Sequence, residues 1–139
     1  MRNRIAAAVA ALAAAAVGAC ASPSHTPLNG TASVTVNGTD AKFNVVKCTQ
    51  VQWYRTIHIG GDSAGATVVV DGRAERATAE SVQIQNVGGF IGMYSRGGGG
   101  DAAMSLSGDK FTITGTAEGY SVGKPSEPTT ATFKIIATC

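Results

Sequence analysis

The sequence predicts an all-β domain: an antiparallel β-sandwich or partly closed barrel with one structural disulfide. Three observations carry that expectation. From Ala32 onward, apolar residues recur at every second position, the period of a half-buried strand. The breaks between these runs are Gly, Asn, Asp and Ser, the residues of tight turns. Roughly seven to nine such short runs follow one another, the pattern of sandwiches and small barrels.

Taken in order, Val34 and Val36 lead into Asn37-Gly38, the strongest short hairpin signal, and Phe43, Val45 and Val46 return toward Cys48. Gln50 to Ile59 reads as one strand. Val51, Trp53, Ile57 and Ile59 fall on one face, and Gln50, Gln52, Tyr54, Thr56 and His58 on the other. Arg55 interrupts the apolar face, its stem covered and its head in water. Gly60-Gly61 ends the strand, and a glycine-rich loop leads to the β-branched run Ala66 to Val70. Asp71-Gly72 marks a turn, and Arg73 to Glu80 is polar enough for a loop or a short helical turn.

Val82 and Ile84 then alternate with Gln83 and Gln85, a strand with one wet face. After Gly88-Gly89, Phe90 to Tyr94 is more continuously apolar and reads as a more fully buried strand. Gly97 to Gly100 follows as a hairpin tip. Ala102 to Leu106 and Lys110 to Ala117 flank the short turn Ser107-Gly108-Asp109. Glu118 to Pro128, with two prolines and two glycines, reads as a long connection between sheets. Ala131, Phe133, Ile135 and Ala137 form one face of the last strand before Cys139.

The N-terminal part is organised differently. Arg2 and Arg4 precede the apolar run Ile5 to Val17, too short to span a bilayer, and no second apolar run follows. Residues 1–19 are therefore expected to be a secretory signal peptide. Val17-Gly18-Ala19-Cys20 fits a bacterial lipobox, in which two small residues enter narrow peptidase subsites and Cys20 carries a diacylglyceryl thioether. Lipidation at Cys20 would make the membrane a partner through acyl chains, at an extracytoplasmic face. Residues 20–31, polar and proline-containing, read as a flexible tether, and residues 32–139 as the β domain. Loss of Arg2 and Arg4 reduces the eleven basic residues to nine, equal to the nine acidic ones. A neutral chain without a basic stripe is not expected to bind nucleic acid.

With Cys20 committed to lipid, Cys48 and Cys139 remain as an even pair in an oxidising compartment. Their spacing excludes a compact CxxC motif, and with only His58 nearby they are too few for a tetrahedral zinc site. A structural disulfide is expected, pinning the last residue to an early strand.

No catalytic group, metal or cofactor is expected. Gly61-Asp62-Ser63-Ala64-Gly65 matches the G-x-S-x-G nucleophile elbow, but a strand follows it where a helix is required. No histidine lies after His58 to take the proton of Ser63. The Gly97 to Gly100 run lacks the Gly-Lys-Ser/Thr ending of a phosphate-binding loop. Apolar Ile91, Met93, Met104 and Leu106 would line a pocket for an apolar envelope ligand, flexible methionines suiting irregular shapes; the competing reading places them in the core.

Several stretches together resemble the mycobacterial nineteen-kilodalton lipoprotein antigen family. They are Val34-Thr35-Val36-Asn37-Gly38, Ile57-His58-Ile59-Gly60-Gly61 and Lys110 to Ala117 (KFTITGTA), with Cys48 and the terminal Ile136-Ala137-Thr138-Cys139 at the family's two cysteine positions. The resemblance spans Val34 to Cys139. It implies an acylated, surface-exposed envelope protein whose lipid is recognised by host Toll-like receptors, and it supplies no catalytic residues. Two functions follow as expectations. One is a carrier holding an apolar envelope lipid; the other is a display or interaction module without a pocket, whose threonine-rich faces meet glycans, envelope proteins or a host receptor.

Overall fold

A computed structural model describes residues 30–73 and 75–139. The signal peptide, Cys20 and the tether as far as residue 29 lie outside the described residues. Those described form β1 (Ala32–Val36), β2 (Thr39–Phe43), β3 (Val46–Val51), β4 (Tyr54–Gly60) and β5 (Gly65–Asp71). They continue with β6 (Thr78–Val87), β7 (Phe90–Ser95), β8 (Asp101–Ser107), β9 (Lys110–Ser121) and β10 (Lys124–Thr138). The strands make one antiparallel sheet in the order β2-β1-β10-β9-β7-β6-β5-β4-β3, with β8 also paired to β9. Ten strands exceed the expected seven to nine, because two adjacent expected strands are each divided and their adjoining parts form one strand, β3.

The first hairpin forms as its turn residues dictate. Asn37 and Gly38 both adopt positive φ, 49° and 84°, the turn that matches strand twist, and Val36 pairs with Thr39. The return strand is not continuous, however. It ends at Phe43, bends at Asn44, and resumes as β3 on the far edge of the sheet. The cause is the doublet Val45-Val46, which breaks alternation: Val46 is buried while Val45 stays half exposed. The expected strand from Gln50 to Ile59 is likewise two strands. Gln52 at φ 57° begins a two-residue turn, and Val51 pairs with Tyr54. No Gly, Asn, Asp or Pro marks this turn, so the alternation reads straight through it.

Phe90 to Tyr94 is not more fully buried than the other strands; one face alone is covered. Phe90 and Tyr94 point inward, whereas Met93 is 49% exposed on the opposite face. β7 and β8 lie end to end along the same side of β9: Phe90–Met93 pair with Ser121–Glu118, and Asp101–Ser107 with Thr116–Lys110. Gly97–Gly100 therefore links two collinear strands and is not a hairpin tip. The close approach of β7 depends on Gly119, where a Cβ would stand 1.9 Å from the Ile91 carbonyl oxygen. The stretch Glu118 to Pro128 is no long connection either. β9 turns directly into β10 through Val122-Gly123, and Pro125 and Pro128 sit within a register shift between Lys124 and Thr129. A bulge places both prolines where no ladder donor is required.

The sheet curls into a nearly closed barrel around branched aliphatic side chains. Ile57, Ile84, Ile113, Ile135, Val34, Val68, Val82 and Val87 are fully buried. Burial of each contributes about 1.5–3 kcal/mol. Ala131, Phe133, Ile135 and Ala137 are all buried on one face of β10, as their period requires. The two edge strands meet through Asn44-Val45, where the Gly60 amide donates to the Val45 carbonyl at 2.9 Å. Cys48 of β3 is bonded to Cys139 just beyond β10, with 5.9 Å between Cα atoms. The disulfide fastens the seam of the barrel.

Candidate functional site

The end of the barrel at which the described chain begins carries the most distinctive side chains. Gly30 packs where a Cβ would lie 3.0 Å from Val46 Cβ and 3.1 Å from the Thr138 carbonyl oxygen. From Val46, β3 runs past Cys48 in the same sense as β10 runs out to its bonded partner Cys139. Five further residues carry it to Val51, about 17 Å at strand rise. The turn at Gln52 and Trp53 thus projects beyond both chain ends of the domain.

Beside that turn is a charged cluster whose components are legible in the sequence but whose assembly is not. Asp71, at the end of β5, is 3% exposed, the sole buried charged residue among those described. Arg73 grips it with two nitrogens, Nε donating at 3.0 and 3.1 Å and Nη2 at 2.6 Å, and its backbone amide donates at 3.0 Å. Arg96 stands 3.9 Å from Asp71 and 3.7 Å from Glu80. The hydrogen bonds from Arg73 hold the Asp71 carboxyl down from 3.8 to about 2, overcoming desolvation, which acts the other way. Asp71 in turn raises the Arg73 pKa. The Arg73 guanidinium lies 5.3 Å from the centroid of Trp53 and 5.5 Å from that of Tyr54. The Gly72 amide donates to the Trp53 carbonyl at 2.9 Å, tying the two turns together. The sequence signal was the pair Asp71 and Arg73 two residues apart, flanking Gly72; a salt-bridged turn has that spacing.

The four apolar residues expected to line a pocket are not brought together. Ile91 and Met93 lie on the outer face of β7, opposite Phe90 and Tyr94. Met104 packs against the core from β8, and Leu106 is half exposed near the end of that strand. Met104 and Leu106 do share a groove of about 350 Å³ with Glu75, Arg76, Ala77 and Ser105. A second groove of about 310 Å³ runs from Met104 toward Tyr94 and Arg96. Ser63 sits in the loop between β4 and β5, its carbonyl facing the Asn86 amide at 3.4 Å, and β5 follows it. His58 Nδ1 lies 3.5 Å from the Thr67 hydroxyl, on adjacent strands. Among the described residues no group of three or more His, Cys, Asp or Glu could hold a metal ion.

The geometry is that of a small closed β domain entered at its disulfide-bonded seam, and known proteins share its sequence across the whole length. Residues 25–139 match the model of the Mycobacterium 19 kDa lipoprotein antigen family. The chain belongs to that family. A lipoprotein-named protein of Mycobacterium indicus pranii is 61% identical over 139 residues, covering all of both chains. Lipoprotein LppE of Mycobacterium tuberculosis is 32% identical over 131 residues, 94% of this chain and 93% of its own. Lipoprotein LpqH of the same species is 35% identical over 109 residues, 76% of this chain and 67% of its own. Membership in the 19 kDa antigen family implies a membrane-associated lipoprotein of the cell envelope.

Proposed function

We propose that this 19 kDa antigen family member is a lipid-anchored, non-enzymatic display module of the envelope. Residues 1–19 are the signal peptide, Cys20 carries the acyl chains, and residues 20–31 tether the β domain to an extracytoplasmic membrane face. Two acyl chains hold stably where one is marginal. The observation that carries the display reading is the filled barrel: branched aliphatic side chains from β1, β4, β5, β6, β9 and β10 occupy its interior. Host Toll-like receptor agonism, on this reading, belongs to the acyl chains on Cys20 and not to the barrel.

A carrier reading is favoured by one separate observation, the groove of about 350 Å³ where Met104 and Leu106 meet Ala77. Native mass spectrometry with lipid extraction, on the Cys20→Ser chain secreted from a mycobacterial host, separates the two. A display module gives a clean apo mass. A stoichiometric apolar lipid, lost on Met104→Ala or Leu106→Ala substitution, establishes the carrier.

A further inference from the structure

The tether end of the barrel carries an apolar protrusion that the core does not use. Val51 is 69% exposed and Trp53 41% exposed, on the turn that follows about 17 Å of strand beyond Val46, the neighbour of Gly30. Leu106, half exposed, lies toward the same end, paired with Phe111 near the start of β9. The backbone holds the turn in shape despite its lack of turn residues, with Gln52 at φ 57°. Arg73 stacks over Trp53 while Asp71 takes its Nε and Nη2, leaving the Nη1 donors for another acceptor.

Chain length supplies the occupant. Residues 20–29 join the barrel at Gly30, and β1 leaves Gly30 antiparallel to β10, so Gly30 stands at the end of the barrel toward which the turn projects. Ten residues of coil span about 17–19 Å, and at most about 36 Å when extended. An anchor at Cys20 therefore leaves the bilayer surface within reach of the turn. Tryptophan is enriched at the membrane interface, its ring apolar and its N–H wet, and arginine meets headgroup phosphate.

We propose that the Val51–Trp53 turn is a second membrane contact, resting in the headgroup region of the bilayer that holds the acyl chains. The proposal rests on the acylated Cys20 of the preceding section. Contact at two points fixes which end of the barrel faces the lipid and turns the Asn37-Gly38 end outward.

Trp53 is the chain's single tryptophan and so reports on its own position. The full lipidated protein, purified from a mycobacterial host, is placed in phosphatidylglycerol and phosphatidylethanolamine vesicles and floated on a density gradient. Its fluorescence is compared with that of the soluble Cys20→Ser chain. The expected result is flotation with a blue-shifted emission, a severalfold loss of acrylamide quenching, and strong quenching by lipids brominated just below the headgroup. Val51→Asp should still float but lose most of the bromolipid quenching. Failure to float would overturn the acyl anchor and this contact with it. Flotation with Trp53 emission unchanged from the soluble chain would overturn the contact alone. Shielding from acrylamide without bromolipid quenching would assign the turn to a protein or glycan and overturn it equally.

Discussion

Asp71 is where a single side chain sets an experimental property of the domain. Its carboxyl is held at about 2 by Arg73, below the ordinary 3.8, so the pairing stabilises the fold above the ordinary value and that contribution is lost as pH falls toward about 2. Asp71→Asn should leave a melting curve that falls less steeply over this acid window than that of the parent, read by circular dichroism across the pH range. A parallel decline in both proteins would mean that the pair contributes nothing to acid stability. Gly119 makes a steric prediction. A side chain there meets the Ile91 carbonyl, so Gly119→Val should cost about 1–3 kcal/mol by overpacking and loosen β7 from β9, seen as faster amide exchange in Phe90–Met93. At this scale the sequence was legible where one residue's chemistry decides, as at Asn37-Gly38 and at the inward face of β10. It was not legible where two distant turns combine. Asp71 read as an ordinary turn acid because Arg96, the second arginine beside it, comes from a distant part of the chain.

At the scale of elements, the edges of strands were harder to read than their existence. Alternation locates β1, β4, β5, β6 and β9 because one face is buried and the other wet. It cannot locate a turn built from Gln52 and Trp53, which alternate as a strand would, nor show that β7 and β8 lie end to end along β9. The prolines of β10 misled for the opposite reason: they signal a break, yet a bulge absorbs them inside a strand. The disulfide joining β3 to the end of β10 closes a loop of 91 residues. Such a crosslink contributes on the order of 4 kcal/mol by restricting the unfolded chain. At about 4 °C per kcal/mol for a domain of this size, the Cys48→Ala, Cys139→Ala double variant should melt about 15 °C lower. An unchanged melting temperature would show the seam held by packing alone.

For the whole molecule, location and fold were far more legible than activity. The cysteine pair rests on two residues with a definite chemistry, whereas a display surface has no such signature. The anchor prediction belongs here. Cys20→Ser should shift the protein from the membrane fraction to the medium or leave it unprocessed, as read by detergent partition and intact mass. Persistence of a processed, membrane-bound Cys20→Ser protein would remove the lipid anchor from the account.

The pairing of β1 with β10 bears on how the chain is made and exported. The first strand has only β2 beside it until β10 has left the ribosome, and the bond at the seam waits for Cys139. Contacts between sequence ends are slow to form because loop closure must precede them. A nascent chain of this topology cannot complete its barrel until β10 is made, and oxidation of Cys48 and Cys139 then finishes what strand pairing begins.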